Sequence, residues 1–503
     1  IDREDSLWIG TRDSGLKCLR RTNFTTLSVD EDAPEINFRN ILVDSKGTVW
    51  AGTSHGRLYT VEDGRFYEIS LKQDIFDKTL FTMIEDSDGS LLLGTEYQGL
   101  FRLKDGRVAP YKTEEGHVEG TIVGVFRDSQ KRLWICRYGQ EMGYYENGRF
   151  HQVFSQEDFP GKMIFCFYED SRRNLWLSFI DGLLCFEKGD PDKSKMKHYL
   201  KDINVSTIYE DKEGFLWLGS YAGGLFRFDP NTSQEVKFTQ EQGLLTDKIY
   251  SIREDSQGFF WMTTGEGIQR VNRSDLNSFI KGETENIPCV LFGASDGLKS
   301  IECSIEQKNS IAKNQKGEFF FATTNGIAVT KPENISLNKI PPFVLIDNII
   351  IDGKEALYSA GVDINFKMNS REKLDIFFKA VTLTGSDNIK YKYKLQGKKR
   401  TSDLVNPSLD NPVSFSKLNP DEYTFRVTAG NSHGAWNDEG AVLNFLVVPV
   451  FFQSVLFKIG LGVLFLGGCS LVFIFVQKRK KAQKNKYKKT RLPEDIAGEY
   501  EKK

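Results

Sequence analysis

The chain has 503 residues, enough for about three domains at roughly 150 residues each, and its 39% hydrophobic and 13% aromatic content excludes wholesale disorder. The net charge of −2 conceals a split: residues 478–503 carry 11 Lys/Arg against 4 Asp/Glu, which leaves −9 on residues 1–477. A mildly acidic body argues against a nucleic-acid-binding surface there.

The chain starts at Ile1, inside what reads as a complete structural unit, so a cut or processed N-terminus is expected. Six tryptophans, Trp8, Trp50, Trp134, Trp176, Trp217 and Trp261, share one phase of a repeat, and Leu92 and Phe320 fill the same slot where Trp is missing. The eight anchors are 42, 42, 42, 42, 41, 44 and 59 residues apart, the last gap holding an insertion around Gly282–Gly297. A fixed period in this range marks a repeat architecture. Each unit reads as strand, Asp-x-x-Gly turn, strand, as in Asp44–Gly47 followed by Thr48–Thr53 and Asp211–Gly214 followed by Phe215–Ser220. The turn residues supply local hydrogen bonds and positive φ, so these are hairpins. A third strand (Gly99–Leu103, Gly224–Phe228) and a weaker fourth (Arg65–Ile69, Arg149–Val153) complete a β-propeller blade. Ten residues before the anchors stand Asn40, Thr82, Gly124, Cys166, Thr207, Ser251 and Ser310, all small, as crowding around a central channel would require. The expected wheel, over residues 1–340, has seven or eight blades, or one wheel plus a remnant of a neighbour.

The strand directions place the start of each first strand and the loop after each second strand on one face. There lie Arg39, Lys248 and Tyr250 near strand starts, and His55, Tyr97, Tyr138 and Tyr221 in the loops. Aromatic rings stack on sugars, and Arg and Lys complement carboxylates or sulfates, so these seven are the candidate ligand residues; an ordinary solvent-exposed rim is the alternative.

Residues 341–448 read as a separate β-sandwich of about seven short strands, immunoglobulin or fibronectin-like, with runs such as Leu374–Phe378 and Tyr423–Val427 between turns. Ile459–Val476 is 18 uncharged apolar residues, long enough to span a bilayer, and residues 453–477 are the expected transmembrane helix. Directly behind it, Lys478–Arg491 holds 9 Lys/Arg in 14 residues, so the positive-inside rule puts residues 1–450 outside the cytoplasm and 478–503 inside.

Catalytic patterns are missing from the sequence. None of the five histidines, His55, His117, His151, His198 and His433, lies in an H-E-x-x-H, and neither a G-x-S-x-G nor a P-loop occurs. Glu85–Gly89 resembles the start of a calcium loop but lacks the later bidentate Glu, and paired acids such as Glu169-Asp170, Glu210-Asp211 and Glu254-Asp255 repeat with the blade, which assigns them to turns. No catalytic residue, metal site or cofactor is expected. The seven cysteines, Cys18, Cys136, Cys166, Cys185, Cys289, Cys303 and Cys469, show no metal-ligand spacing; most read as buried small hydrophobes, with a Cys289/Cys303 or Cys166/Cys185 disulfide left open.

The phrases GTVWAGT, KRLWICR and GFLWLGS, with AKNQKGEFFFATTNGIAVTKPENI closing the series, resemble the two-component-regulator propeller repeats of bacterial membrane sensors. Pro341–Glu355, Ile389–Leu395, Asp421–Val427 and Gly434–Asn437 resemble the three-tyrosine domain that links such propellers to a membrane helix, and Tyr391, Tyr393 and Tyr423 match its tyrosines. The chain departs from the pattern at Leu92 and Phe320, and at Thr401–Asn411, which lacks the usual aromatic residue. The resemblance implies a single-pass inner-membrane sensor, commonly a homodimer and commonly responsive to oligosaccharides, with a kinase or AraC-type output module beyond the basic tail. An envelope-tethered propeller lectin or enzyme, and a purely structural scaffold, are the competing readings.

Overall fold

The computed structural model describes residues 1–29, 36–69, 78–155, 157–158, 164–305, 310–356, 365–383, 389–398, 412–449 and 455–488. Compactness divides it into two units: Ile1–Pro342 with Val381–Lys390 and Ala429–Asn437, and Phe343–Ala380 with Tyr391–Thr428 and Asp438–Lys503.

The local event that builds the first unit is a hydrogen-bonded turn. Asp44 Oδ1 accepts the backbone N–H groups of Lys46 (3.0 Å) and Thr48 (2.8 Å), while its Oδ2 accepts the Trp50 indole N–H at 2.9 Å. The carboxylate thus closes the hairpin and fixes the ring that follows six residues later. The indole bond recurs from Trp134 to Asp128, Trp176 to Asp170, Trp217 to Asp211 and Trp261 to Asp255, each at 2.8 Å. These last four rings are almost completely buried, so each satisfies its polar edge in a dry setting.

Seven four-stranded antiparallel sheets follow from these hairpins. Blades 1 to 6 occupy residues 38–68, 80–110, 122–154, 164–199, 205–238 and 251–292. Blade 7 takes Ile311–Lys313, Phe319–Thr323 and Gly326–Thr330, and its outermost strand is Thr25–Leu27, with Thr26 opposite Ala328. Innermost strands pack consecutively, and that of blade 7 packs on that of blade 1, so the wheel closes at seven. The eighth anchor, Trp8, lies outside it in a two-stranded sheet of Leu7–Gly10 and Leu16–Leu19. Of the counts allowed by the spacing, the wheel with an additional hairpin is the one observed. The insertion in blade 6 begins earlier than expected, as a helix, Arg273–Ile280, between the third strand and the fourth, Cys289–Phe292.

The two blades without Trp solve the turn differently. Where Leu92 stands, Arg127 of the next blade fills the vacancy, its Nε donating to Asp86 Oδ1 (2.6 Å) and a terminal nitrogen to Oδ2 (3.0 Å). Where Phe320 stands, the Asp itself is replaced: Asn314 accepts the Glu318 N–H at 2.9 Å and donates to the Glu318 carboxylate at 2.7 Å. The acids preceding the turn Asp bind the adjacent blade. Glu85, Glu169 and Glu210 each accept both the backbone N–H and the hydroxyl of a serine, Ser45, Ser129 and Ser171, at 2.6–2.8 Å. The paired acids therefore divide their labour between their own turn and the neighbouring one.

Three of the small residues ten before the anchors sit at contacts between blades. Asn40 donates to the Leu80 carbonyl of the next blade, Ser310 shares a hydrogen bond with Thr263 of the previous one, and a Cβ on Gly124 would come within 2.8 Å of Phe167. At these three positions the neighbouring blade limits the side chain, through a backbone carbonyl, a hydroxyl and a ring. All seven thiols are free, which excludes both candidate disulfides in this structure; Cys18 and Cys469 are exposed and the others buried.

The second unit contains two four-stranded sheets. One orders Lys354–Glu355, Phe343–Ile351, Leu374–Val381 and Val413–Phe415; the other Asn365–Asn369, Trp436–Val448, Asp421–Gly430 and Lys390–Gly397. Phe378 and Phe415 from the first meet Tyr391, Tyr393 and Phe425 from the second at centroid separations of 5.2–6.3 Å, the aromatic core of a sandwich. Tyr391 accepts the Ala380 N–H at 2.9 Å, and the Tyr423 hydroxyl donates to the Asn419 carbonyl at 3.2 Å, pinning the approach to its strand as a tyrosine corner does. The segment Thr401–Asn411 lies outside the described residues.

The last element is a helix, Val455–Lys488, of 34 residues, about 51 Å long at 1.5 Å per residue. It is the one described helix long and apolar enough to cross a membrane. A hydrocarbon core of roughly 30 Å accommodates its apolar part, and the helix runs on through the basic segment without a break.

Candidate functional site

The loop face is built by a recurring bond. In four blades the residue after the second strand donates its N–H to the carbonyl of the residue preceding the first strand: Ser54 to Asn37, Glu96 to Thr79, Tyr138 to Thr121 and Tyr221 to Asn204, at 2.9–3.1 Å. This ties the two loop ends of a blade to one face and presents the side chains between them outward.

The seven candidate residues form separate groups along that rim. Tyr97 and Tyr138 are exposed, and Thr121 joins them: its hydroxyl accepts the Tyr97 N–H at 3.0 Å and its carbonyl the Tyr138 N–H at 2.9 Å. Tyr97 also takes φ +66°, unusual for an aromatic residue and consistent with a loop shaped by this contact. Tyr221 and Tyr250 have centroids 5.7 Å apart; Tyr221 donates to the Ile305 carbonyl at 2.9 Å, and burial raises both phenol pKa values. Arg39 lies 5.7 Å from the Phe81 ring, and burial lowers its pKa against the pull of Glu96. His55 is exposed, with Nδ1 3.0 Å from the Ser54 hydroxyl, and Lys248 is exposed, with its N–H donated to the Thr246 hydroxyl. The candidates are thus two exposed tyrosines tied to one threonine, a packed pair of which Tyr250 is buried in the core, and three single groups.

Within the same unit there is a pocket of about 540 Å³ that the sequence reading did not identify, lined among others by Arg20, Arg21, Lys339, Asn338, Asp296 and His433. Its floor is a hydrogen-bonded cluster. His433 Nδ1 accepts the Asn338 N–H at 2.8 Å, which leaves Nε2 as the donor of the neutral ring toward Asp296 Oδ1 at 3.0 Å. Asp296 Oδ1 also accepts Asn23 Nδ2 (2.8 Å), and its Oδ2 accepts the Gly293 N–H (3.0 Å). Asn431 Nδ2 donates to the carbonyls of Asn338 (2.9 Å) and Ile340 (3.1 Å). His433 and Asp296 are 137 residues apart in sequence, so no local spacing announces them. The local cue was the turn Asn431-Ser-His-Gly434, in which Asn431 Oδ1 accepts the N–H groups of His433 and Ala435. Among the described residues, no group of three or more His, Cys, Asp or Glu is placed to hold a metal.

Known proteins match in segments. Residues 382–448 match the Y_Y_Y domain and residues 199–222 the two component regulator propeller, so both parts of the resemblance read from the sequence are present. The chain is 22% identical over 284 residues to histidine kinase P4 of Formosa agariphila, a match covering 53% of this chain and 19% of that protein. Among solved structures, an extracellular domain assigned to a hybrid two-component system of B. thetaiotaomicron superposes with a TM-score of 0.49 at 15% identity, over 90% of this chain and 62% of that one. A catalytically inactive virginiamycin B lyase from Staphylococcus aureus gives 0.46 at 14% identity, over 61% and 98%.

Proposed function

We propose that this chain is the ligand-sensing portion of a membrane-anchored signal-transduction regulator. The observation that carries the reading is the order of parts on one chain: a closed wheel containing a two component regulator propeller match, a Y_Y_Y match, and one helix able to cross a membrane. The likeness to a histidine kinase supports the same class of function. In this reading residues 1–340 sense, 341–448 connect, 453–477 cross the inner membrane, and 478–503 lead to a cytoplasmic kinase or transcription-factor module. The excess of Lys and Arg behind the span favours a periplasmic wheel. The ligand is a carbohydrate held at the loop face by Arg39, His55, Tyr97, Tyr138, Tyr221, Lys248 and Tyr250, and the unit that signals is a homodimer. The segment itself performs no catalysis and binds no nucleic acid.

Ligand can drive output only if it binds two arrangements of the receptor with different affinity. Strand Trp436–Val448 is followed within seven residues by helix Val455–Lys488, which leaves little slack between them. A flexible Gly/Ser insertion of ten residues after Val448 is expected to preserve ligand affinity and abolish the response, because such linkers behave as random coils. Titration of the full-length receptor with an oligosaccharide panel, beside a transcriptional or phosphorylation readout, tests this. Undiminished signalling through the insertion would reject the coupling, and protease resistance of the wheel in cells stripped of their outer barrier would reject the topology.

A further inference from the structure

We propose that the pocket framed by Arg20, Arg21 and Lys339 is a second ligand site, specific for a sugar bearing an oxyanion, either a carboxylate or a sulfate. The inference rests on the sensor reading above and assigns it a ligand class and a location away from the loop face.

Three observations lead there. The first is size: about 540 Å³ lies within the usual range for small-molecule sites. The second is the disposition of charge. Arg20, Arg21 and Lys339 are exposed around the pocket, and none forms an ion pair with a described carboxylate. Of the three acids in the lining, two are already engaged by protein donors. Glu4 accepts from the Asn338 side chain (3.0 Å), the Thr382 hydroxyl (3.1 Å) and the Leu383 N–H (2.9 Å), and Asp296 is held by His433, Asn23 and Gly293. Asp5 alone remains as an exposed acceptor. The donors left for a ligand are guanidinium forks, which pair with carboxylate or sulfate in a bidentate manner, and an ammonium. A carboxylate such as Asp5 is suited to a sugar hydroxyl.

The third observation is rigidity. Asn23, Asp296, His433, Asn338 and Asn431 hold one another through bonds of 2.8–3.0 Å, so the floor is organised before any ligand arrives. Pre-organisation removes part of the ordering cost that weakens binding at ordinary exposed lysines and arginines. The lining contains no Phe, Trp or Tyr, so recognition here is by charge and hydrogen bonds, in contrast to the aromatic rim. His433 also belongs to the turn that enters strand Trp436–Val448, the segment nearest in sequence to the membrane helix.

The test is calorimetric titration of the full chain in detergent micelles with trigalacturonate, its neutral methyl ester and a sulfated galactose trisaccharide. At least one of the two anionic sugars is expected to bind about tenfold or more tighter than the ester, and to lose that margin in the Arg20→Ala/Arg21→Ala/Lys339→Ala variant. Asp5→Asn keeps an acceptor for a sugar hydroxyl and removes a negative charge facing the anion, so it should tighten the anion by about threefold. Substitutions of exposed side chains leave the fold in place, and a melting curve matching the parent verifies it. Binding of the ester equal to that of both anions, no binding of either anion, or unchanged anion binding in the well-folded triple variant would overturn the proposal. Its failure is distinguishable from that of the sensor reading: if Tyr97→Ala/Tyr138→Ala alone abolishes sugar binding, the loop face senses and this pocket does not.

Discussion

The hairpin at Leu7–Leu19 and blade 5 carry the same sequence device with opposite outcomes. In both, an Asp accepts an indole N–H from a Trp six residues later, Asp2 from Trp8 at 2.6 Å and Asp211 from Trp217 at 2.8 Å. The Trp8 bond is the chief reason the Asp2 carboxyl titrates below its ordinary range. Yet Trp8 is 39% exposed and Trp217 fully buried. The Asp-Trp device closes a turn using only residues within reach of that turn. Burial of the ring is a separate event: it needs Phe238 of the fourth strand, 6.0 Å away, and Phe260 of the next blade, 4.8 Å away. A two-stranded sheet with no such neighbours leaves the indole wet.

The largest expected effect breaks the buried case and spares the exposed one. Trp217→Ala should cost about 3–5 kcal/mol through lost burial and a cavity that the flanking rings cannot fill. Trp8→Ala should cost under about 1 kcal/mol. Urea denaturation of the chain in mild detergent reads both, and a large loss from Trp8→Ala would show that the hairpin supports the wheel. Next in size is the blade without a Trp. Arg127→Met strands the nearly buried Asp86 carboxylate and should cost about 3 kcal/mol. Adding Leu92→Trp supplies an indole donor to Asp86, so the double variant should be more stable than the sum of the singles by about 1 kcal/mol or more. Strict additivity would mean that the indole cannot reach Asp86 from this position.

The same separation of local from distant effects explains what could be read in advance. The blades, their phase, the sandwich and the membrane helix are written in short spacings: six residues from Asp to Trp, about 42 from blade to blade, 18 apolar residues in a row. Closure at seven was not so written, because Thr25–Leu27 completes blade 7 by pairing with Ile327–Val329, about 300 residues away. The Trp8 signal was indistinguishable from those of true blades for the same reason. The candidate rim residues could be placed on one face from strand direction alone, but their grouping into Tyr97 with Tyr138 and Tyr221 with Tyr250 depends on Thr121 and on the packing of adjacent blades. The pocket floor depends on contacts such as His433 to Asp296, and no periodic pattern carries them.

The smallest effect concerns the thiols and sharpens the contrast between hairpin and wheel. Cys18 of the hairpin is exposed, whereas burial pushes the thiols of Cys185, Cys289 and Cys303 up to about 12. A thiol-specific reagent at pH 8 should therefore label Cys18 within minutes and the three wheel thiols only as fast as the wheel opens, since the thiolate is the nucleophile and access is required. The sign of the linked stability follows from the direction of the shift. Below the ordinary thiol value of 9.0 both folded and unfolded states keep these protons, and the pairing of burial with neutrality is undisturbed. As pH rises from 9 toward 12, the unfolded chain releases protons that the wheel retains, so stability falls across that interval. Denaturation midpoints measured at pH 8, 9.5 and 11 should decline in order, and replacing Cys303 with Ala should flatten the decline. A midpoint independent of pH would show that burial does not hold these protons on the thiols, and labelling of Cys303 as rapid as that of Cys18 would show that the wheel opens at blade 7, where its closing strand comes from the far end of the chain.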